Sequence, residues 1–321
     1  GSELVAVMRR DGALAEDYAR RHGVPRWYDN ADALIHDSEV DAVYIAAPPG
    51  AHEELALKVC AAGKPAYIEK PMARSHAECA RINAAFVDAG VPLFVAFYRR
   101  GLPRFVKAKE LIESGAIGQI SAVVVRYSSP AHRHDYSGGL PWRLQAEHAG
   151  AGLFLDLGSH TLDALDFMLG PLDNVSGVAA NIASAYDVED CVAASFRIAG
   201  APGSALWNFA APGSEDLIEI TGTQGRITFP TFGNDPVRLE SEVGVQEFDL
   251  PNPPHVQQPL IQRMVNELRG VGTCPSTGET AARTSLVMDT MLDSYYSGRA
   301  DEFWLRPGSW PGRRESNAPS R

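Results

Sequence analysis

Two short stretches carry residue types and spacings that can do chemistry. The first is Tyr67-Ile68-Glu69-Lys70-Pro71-Met72, where an apolar run ends abruptly in an acid, a lysine and a proline. In a parallel sheet the residue just past a strand's carboxyl end faces the ligand crevice, which would put Lys70 there. The second is Asp156-Leu157-Gly158-Ser159-His160, with Asp163 one helical turn further on. On a continuous helix Asp156 and His160, four apart, project from one face. A histidine titrates near neutrality and can take or return the proton of a hydroxyl or carbonyl, and a carboxylate beside it would raise its pKa and fix its tautomer. Either stretch alone has an ordinary alternative. Charged turn residues are mostly solvated, and an Asp/His pair is mostly a surface contact or a satisfied core histidine.

The elements that must position these groups fall into two styles. From Leu4 to Tyr98, β-branched apolar runs alternate with helical patterns. Strands are expected at Leu4–Met8, Val40–Ala47, 66–69 and 93–97, and helices at 13–22, 51–62 and 75–89. That alternation means βαβ units and a parallel sheet covered on both faces. From Arg99 onward the pattern changes to a helix at 101–114 and a strand at 119–128. A long helix over 152–169 carries the Asp/His motif. Strand-like runs follow near 174–182, 189–198, 203–211, 215–221 and 226–230, then helices near 256–270 and 279–297. Strands joined by short turns argue for a mostly antiparallel sheet. The fold class is therefore α/β: a Rossmann-type domain over 1–98, an α+β domain over 99–306 and a loop-like tail over 307–321.

Composition narrows the functional classes. The 321 residues suit about two domains. A net charge of −11 opposes nucleic-acid binding, and no apolar run is long enough to span a membrane. Four cysteines, Cys60, Cys79, Cys191 and Cys274, without CxxC spacing, read as reduced thiols in a cytoplasmic protein.

Taken together, the motifs resemble the Gfo/Idh/MocA family of NAD(P)-dependent sugar oxidoreductases over nearly the whole chain. The resemblance rests on Glu69-Lys70-Pro71, on Trp142-Arg143, and on Ala149-Gly150-Ala151-Gly152 followed by Asp156, Gly158, His160 and Asp163. Ala47-Pro48-Pro49-Gly50-Ala51-His52, the run Ile218–Gly225 and the stretch from His255 to Ile261 add to it. It implies that Lys70, Asp156 and His160 are the catalytic group, with proton transfer falling to His160 or Lys70 and Asp156 orienting substrate and histidine. It implies that Ala47, Pro48, Pro49, His52, Glu69 and Lys70 line the nicotinamide side, and that Trp142 and Arg143 reach cofactor or substrate oxygens. Tyr98, Arg99, His134, Asp156 and His160 are the expected substrate contacts, with His132, Asp135 and Tyr136 near them. Trp207 and Phe209 are expected on a sheet face. The open sheet face of this family commonly joins subunits, so a homodimer or homotetramer is implied.

The family opens with a strand and a GxGxxG turn that cradles pyrophosphate at a helix N-terminus. This chain begins at what matches the second strand. The expectation is either a preceding unit of about thirty residues or a truncated chain with a broken nucleotide site. Leu4–Met8 and Val40–Ala47 would flank the place of the first strand. The second strand ends in Met8-Arg9-Arg10-Asp11. Arg9 and Arg10 favour NADP over NAD, because an arginine accommodates a 2′-phosphate where a carboxylate would take the ribose hydroxyl; Asp11 is the competing reading. His132 and His134 lack a fixed third ligand, so no metal is expected. The reaction implied is oxidation–reduction of a sugar, cyclic polyol or dihydrodiol-like carbinol. Two alternatives stay open: an NAD-dependent glycosidase, which would show no net NADH, and a non-catalytic nucleotide-sensing regulator, which would not need all three catalytic groups.

Overall fold

The computed structural model describes residues 1–130, 139–299 and 302–314. Strand β1 (Ala6–Met8) pairs in parallel with β2 (Arg26–Tyr28) across helix α1 (Gly12–His22). Asp11 starts α1 by accepting the Ala13 and Leu14 N–H groups, and Gly23, at φ 67°, ends it in the left-handed region that a side chain disfavours. Helix α2 (Ala31–Ile35) leads to a second parallel sheet of β3 (Val43–Ile45), β4 (Ala66–Ile68) and β5 (Leu93–Val95). Its crossovers are α3 (His52–Ala61) and α4 (His76–Ala89). Among the described residues no ladder joins β1 to β3, yet Ala6 shares one core with Val43, Ile45 and Val59. The sequence reading missed β2 and α2, because three and five residues are too short to show a period.

A 3₁₀ turn at Tyr98–Gly101 and helix α5 (Pro103–Glu113) lead into the second domain. Its sheet contains β6 (Ile120–Pro130), β7 (Leu172–Ala180), β8 (Cys191–Ile198), β9 (Ala201–Ala211), β10 (Glu215–Gly222), β11 (Gly225–Phe229), β12 (Val237–Ser241) and β13 (Gly244–Phe248). The order is β13-β12-β11-β10-β6-β9-β8-β7, antiparallel except for the parallel β6–β9 pair. The last two strands were not foreseen. Trp207 and Phe209 lie on the inner face, buried, with Trp207 packed 4.9 Å from Phe154, while the preceding Leu206 points outward. The period of two along β9 puts both aromatics in the core, not on the open face.

Short α6 (Ala146–Ala149), a π-turn at Phe154–Gly158 and α7 (Ser159–Leu169) replace the single helix expected over 152–169. Gly150, at φ 92°, stops α6, and the Phe154 ring lies where a Gly158 side chain would stand. Such widened turns place side chains that a regular helix would misdirect. Helices α8 (Gln258–Leu268) and α9 (Gly278–Tyr296) complete the fold. The start of the tail is not loose: buried Trp310 donates to the Phe303 carbonyl, and the Gly312 N–H to that of Tyr295. No helix of the described residues is long and apolar enough to cross a membrane.

Candidate active site

Lys70 stands immediately past β4, where the Glu69 N–H is held by the Ile45 carbonyl at 2.9 Å. Its ammonium donates to an Asp156 carboxylate oxygen and, at 3.1 Å, to the Asp156 carbonyl. The other carboxylate oxygen accepts from Arg143 Nε at 3.2 Å, and the Arg143 guanidinium lies 4.4 Å over the Trp142 ring. The π-turn thus delivers Asp156 to Lys70 across the domain junction. Asp156 is clasped by two cations, and no hydrogen bond to His160 is formed among the described residues.

His160 sits at the start of α7, 4 % exposed, its ring edge-on to Phe97, Tyr98 and Phe232 at 6.3, 5.2 and 5.9 Å. Its Nδ1 is buried without a partner among the described residues. Burial first, then the charges of Arg99 and Lys70, hold its pKa well below the ordinary histidine value. This reverses the expectation of a raised pKa, because the carboxylate four residues back is turned to Lys70. The imidazole is therefore kept neutral and able to accept a proton.

Asp163 does not share this face. It is fully buried beneath the site, bound through both oxygens to Arg100. Arg100 also reaches Asp166 at 2.8 Å, and Arg283 closes on Asp166 from α9. The sequence reading missed this network. Its signal was present in the arginine pair after β5 and in two aspartates three apart on α7.

His52 was expected against the nicotinamide. It is instead wholly buried, its ring bonded to the Ala47, Pro71 and Met72 carbonyls at 2.7, 3.1 and 3.2 Å. It therefore pins the turns after β3 and β4 to each other. Ala47 and Pro48 remain half-buried beside them, with Pro49 buried. Glu69 accepts from Tyr44 and from Gln257 Nε2 at 2.7 Å, the latter a contact not foreseen. Arg9 and Arg10 are exposed past β1, with no side-chain partner among the described residues, whereas Asp11 caps α1. Arg9, Arg10, the turns after β3 and β4 and Glu69 thus stand past the carboxyl ends of the parallel strands, the side on which such sheets take their ligands. The Tyr98 ring faces His160, and the buried Arg99 guanidinium lies 5.0 Å from the same ring. His132, His134, Asp135 and Tyr136 lie outside the described residues. Among the described residues no three histidine, cysteine, aspartate or glutamate side chains form a metal-binding group.

Residues 1–97 match the oxidoreductase family with an NAD-binding Rossmann fold, GFO/IDH/MocA, and residues 105–228 match a GFO/IDH/MocA C-terminal domain. An oxidoreductase of Formosa agariphila is 34 % identical over 291 residues, covering 90 % of this chain and 89 % of that protein. The scyllo-inositol 2-dehydrogenase (NAD(+)) of Bacillus subtilis is 27 % identical, covering 89 % and 82 %. A levoglucosan dehydrogenase solved with NADH and levoglucosan superposes with a TM-score of 0.81 at 25 % identity, covering 91 % of this chain and 87 % of that one.

Proposed function

Because the chain belongs to the Gfo/Idh/MocA family of oxidoreductases, we propose that it interconverts a secondary alcohol and a ketone on a sugar, cyclic polyol or dihydrodiol-like substrate. The observation that carries this reading is the Lys70–Asp156–Arg143 clasp beside a buried, neutral His160. When bound, the nicotinamide supplies the hydride acceptor or donor. In the oxidation direction His160 takes the hydroxyl proton. Lys70, oriented by Asp156, donates to the same oxygen and favours its developing negative charge. Residues 1–98 hold the dinucleotide and 99–306 the substrate. A screen of polyols and ketoses with NADP and NAD tests the reading, and absence of cofactor turnover across the panel would sink it.

The preferred cofactor in this proposal is NADP. Relatives are named for NAD(+) or were solved with NADH, so the preference rests on Arg9 and Arg10 alone. Replacing both by serine is expected to lower kcat/KM with NADP by about 10–10²-fold relative to NAD, the worth of one or two charge-assisted bonds. A wild-type enzyme that favours NAD would refute the assignment. Outward Val178, Ala193 and Leu206, in register across β7, β8 and β9, make the open sheet face the proposed homodimer or homotetramer contact. Cys60, Cys79 and Cys274, buried and free, suit a cytoplasmic protein.

The pH profile follows from His160. Its folded pKa lies below 6.5, so the imidazole stays unprotonated to lower pH than a free histidine. The acidic limb of kcat/KM for alcohol oxidation is therefore expected below pH 6.5. The unfolded chain binds this proton more readily, so the contribution to stability falls as pH drops through 6.5. Lys70→Met, which removes one of the two cations, should move the limb upward. A limb at or above 6.5 in the wild type would contradict the burial argument.

A further inference from the structure

Four arginines are buried among the described residues: Arg99, Arg100, Arg104 and Arg299. Arg100 and Arg299 are ion-paired. Arg99 has no ion pair among the described residues. Its Nε donates to the Thr231 carbonyl at 3.1 Å, and its Nη1 is buried with no partner among the described residues. After burial, Tyr98 bears on it first, through its charge and a side-chain hydrogen bond, and the carboxylate that bears on it is Asp216. That carboxylate already accepts the N–H groups of Thr231, Phe232 and Gly233 at 2.8, 2.6 and 2.9 Å, and Arg104 draws on the same charge. Arg99 thus shares an occupied carboxylate with Arg104, which also feels Asp235. A buried cation with an unmet donor is costly unless something completes it.

The place of Arg99 says what completes it. The Tyr98 ring is 5.2 Å from the His160 ring and 5.0 Å from the Arg99 guanidinium carbon. The Phe232 ring bridges the same two groups at 5.9 and 4.5 Å. Imidazole and guanidinium are therefore no more than about 10 Å apart. Hydrogen bonds of about 2.8 Å at each end leave at most about 4–5 Å for the molecule between them, no more than two or three carbon–carbon bonds. Cations also dominate the field at His160, where Arg99 and Lys70 are the charges felt. In a chain of net charge −11, this corner is locally positive.

Resting on the oxidoreductase reading above, we infer that the substrate carries a carboxylate no more than about three carbons from the reacting carbinol, bound by Arg99. A planar carboxylate matches a guanidinium edge. A phosphate would turn further charged oxygens against the Tyr98 and Phe232 rings. The substrate class is thus an aldonate, aldarate or uronate rather than a neutral sugar.

The test compares kcat/KM for aldonates, aldarates and uronates with that for their parent polyols and aldoses, using the full chain with NADP and NAD. The wild type is expected to favour the acids at least tenfold. Arg99→Gln should collapse that ratio toward one through the KM of the acids, and Arg99→Lys should keep part of it. A wild-type ratio of one or below overturns the inference, as does a ratio unchanged in Arg99→Gln. Turnover of neutral sugars alone removes the anion subsite and leaves the dehydrogenase. If neither set turns over, calorimetry of the NADH complex with glucuronate against glucose decides. Selective glucuronate binding keeps the subsite while the proposed reaction falls, and equal or absent binding removes both.

Discussion

Replacing Lys70 by Met or His160 by Ala is expected to lower kcat by roughly 10²–10⁴-fold, the usual contribution of a positioned acid or base. Cofactor affinity should change little, because neither side chain is needed to hold the adenosine half. The two losses differ in kind. His160→Ala removes the proton acceptor from a pocket whose Phe97, Tyr98 and Phe232 rings offer no replacement among the described residues. Lys70→Met leaves Asp156 paired to Arg143 but removes the donor to the reacting oxygen. Interactions made only in the transition state lower kcat and kcat/KM equally. Asp156→Ala should fall in the same range, since it frees Lys70 and leaves two cations at the junction. Single-turnover rates of nicotinamide absorbance separate chemistry from product release. Near wild-type single turnover in His160→Ala would end the proposed mechanism.

Much of this arrangement was legible in the residues and some was not, for identifiable reasons. The β4–Lys70 junction reads directly, because a buried strand closed by Lys70-Pro71 has few other conformations. The family belongs to the legible part as well, since several short motifs recur in one order. The role of Asp156 was misread. Regular helical spacing puts it beside His160, but the π-turn at Phe154–Gly158 swings it to Lys70. Asp163 was placed on the active face for the same reason. One residue of slippage in a helix changes which neighbour a side chain meets, and sequence spacing carries no sign of it. His52 illustrates a second limit. Its position in the loop after β3 was correct, but burial against three carbonyls makes it a brace for the turns. The Arg100 network was missed because its members lie on α7 and α9, far along the chain, and nothing local ties the arginine pair to the two aspartates.

Arg100→Met is expected to destabilise the protein by about 3–5 kcal/mol, the cost of leaving a buried charge without its partner. Arg100 is 3 % exposed and binds Asp163 through both oxygens, Asp166 at 2.8 Å and the Pro275 carbonyl at 3.1 Å. It therefore fixes the turn after β5 to the helix that carries His160. Burial already pushes Asp163 up to about 6, against the pull of Arg100. Without the guanidinium that pKa must rise further. A carboxyl whose folded pKa exceeds its unfolded value binds its proton more tightly when folded, so its contribution to stability falls as pH rises between the two values. The gap between Arg100→Met and wild type should accordingly be small near pH 4 and widen toward pH 8. Removing the stranded charge as well, in Arg100→Met/Asp163→Leu, should recover much of the loss, since apolar replacement of a buried pair is often neutral. Urea midpoints across that pH range read all three outcomes. A gap that narrows as pH rises would show that Asp163, not Arg100, tolerates isolation, and the network would lose its place as the brace beneath His160.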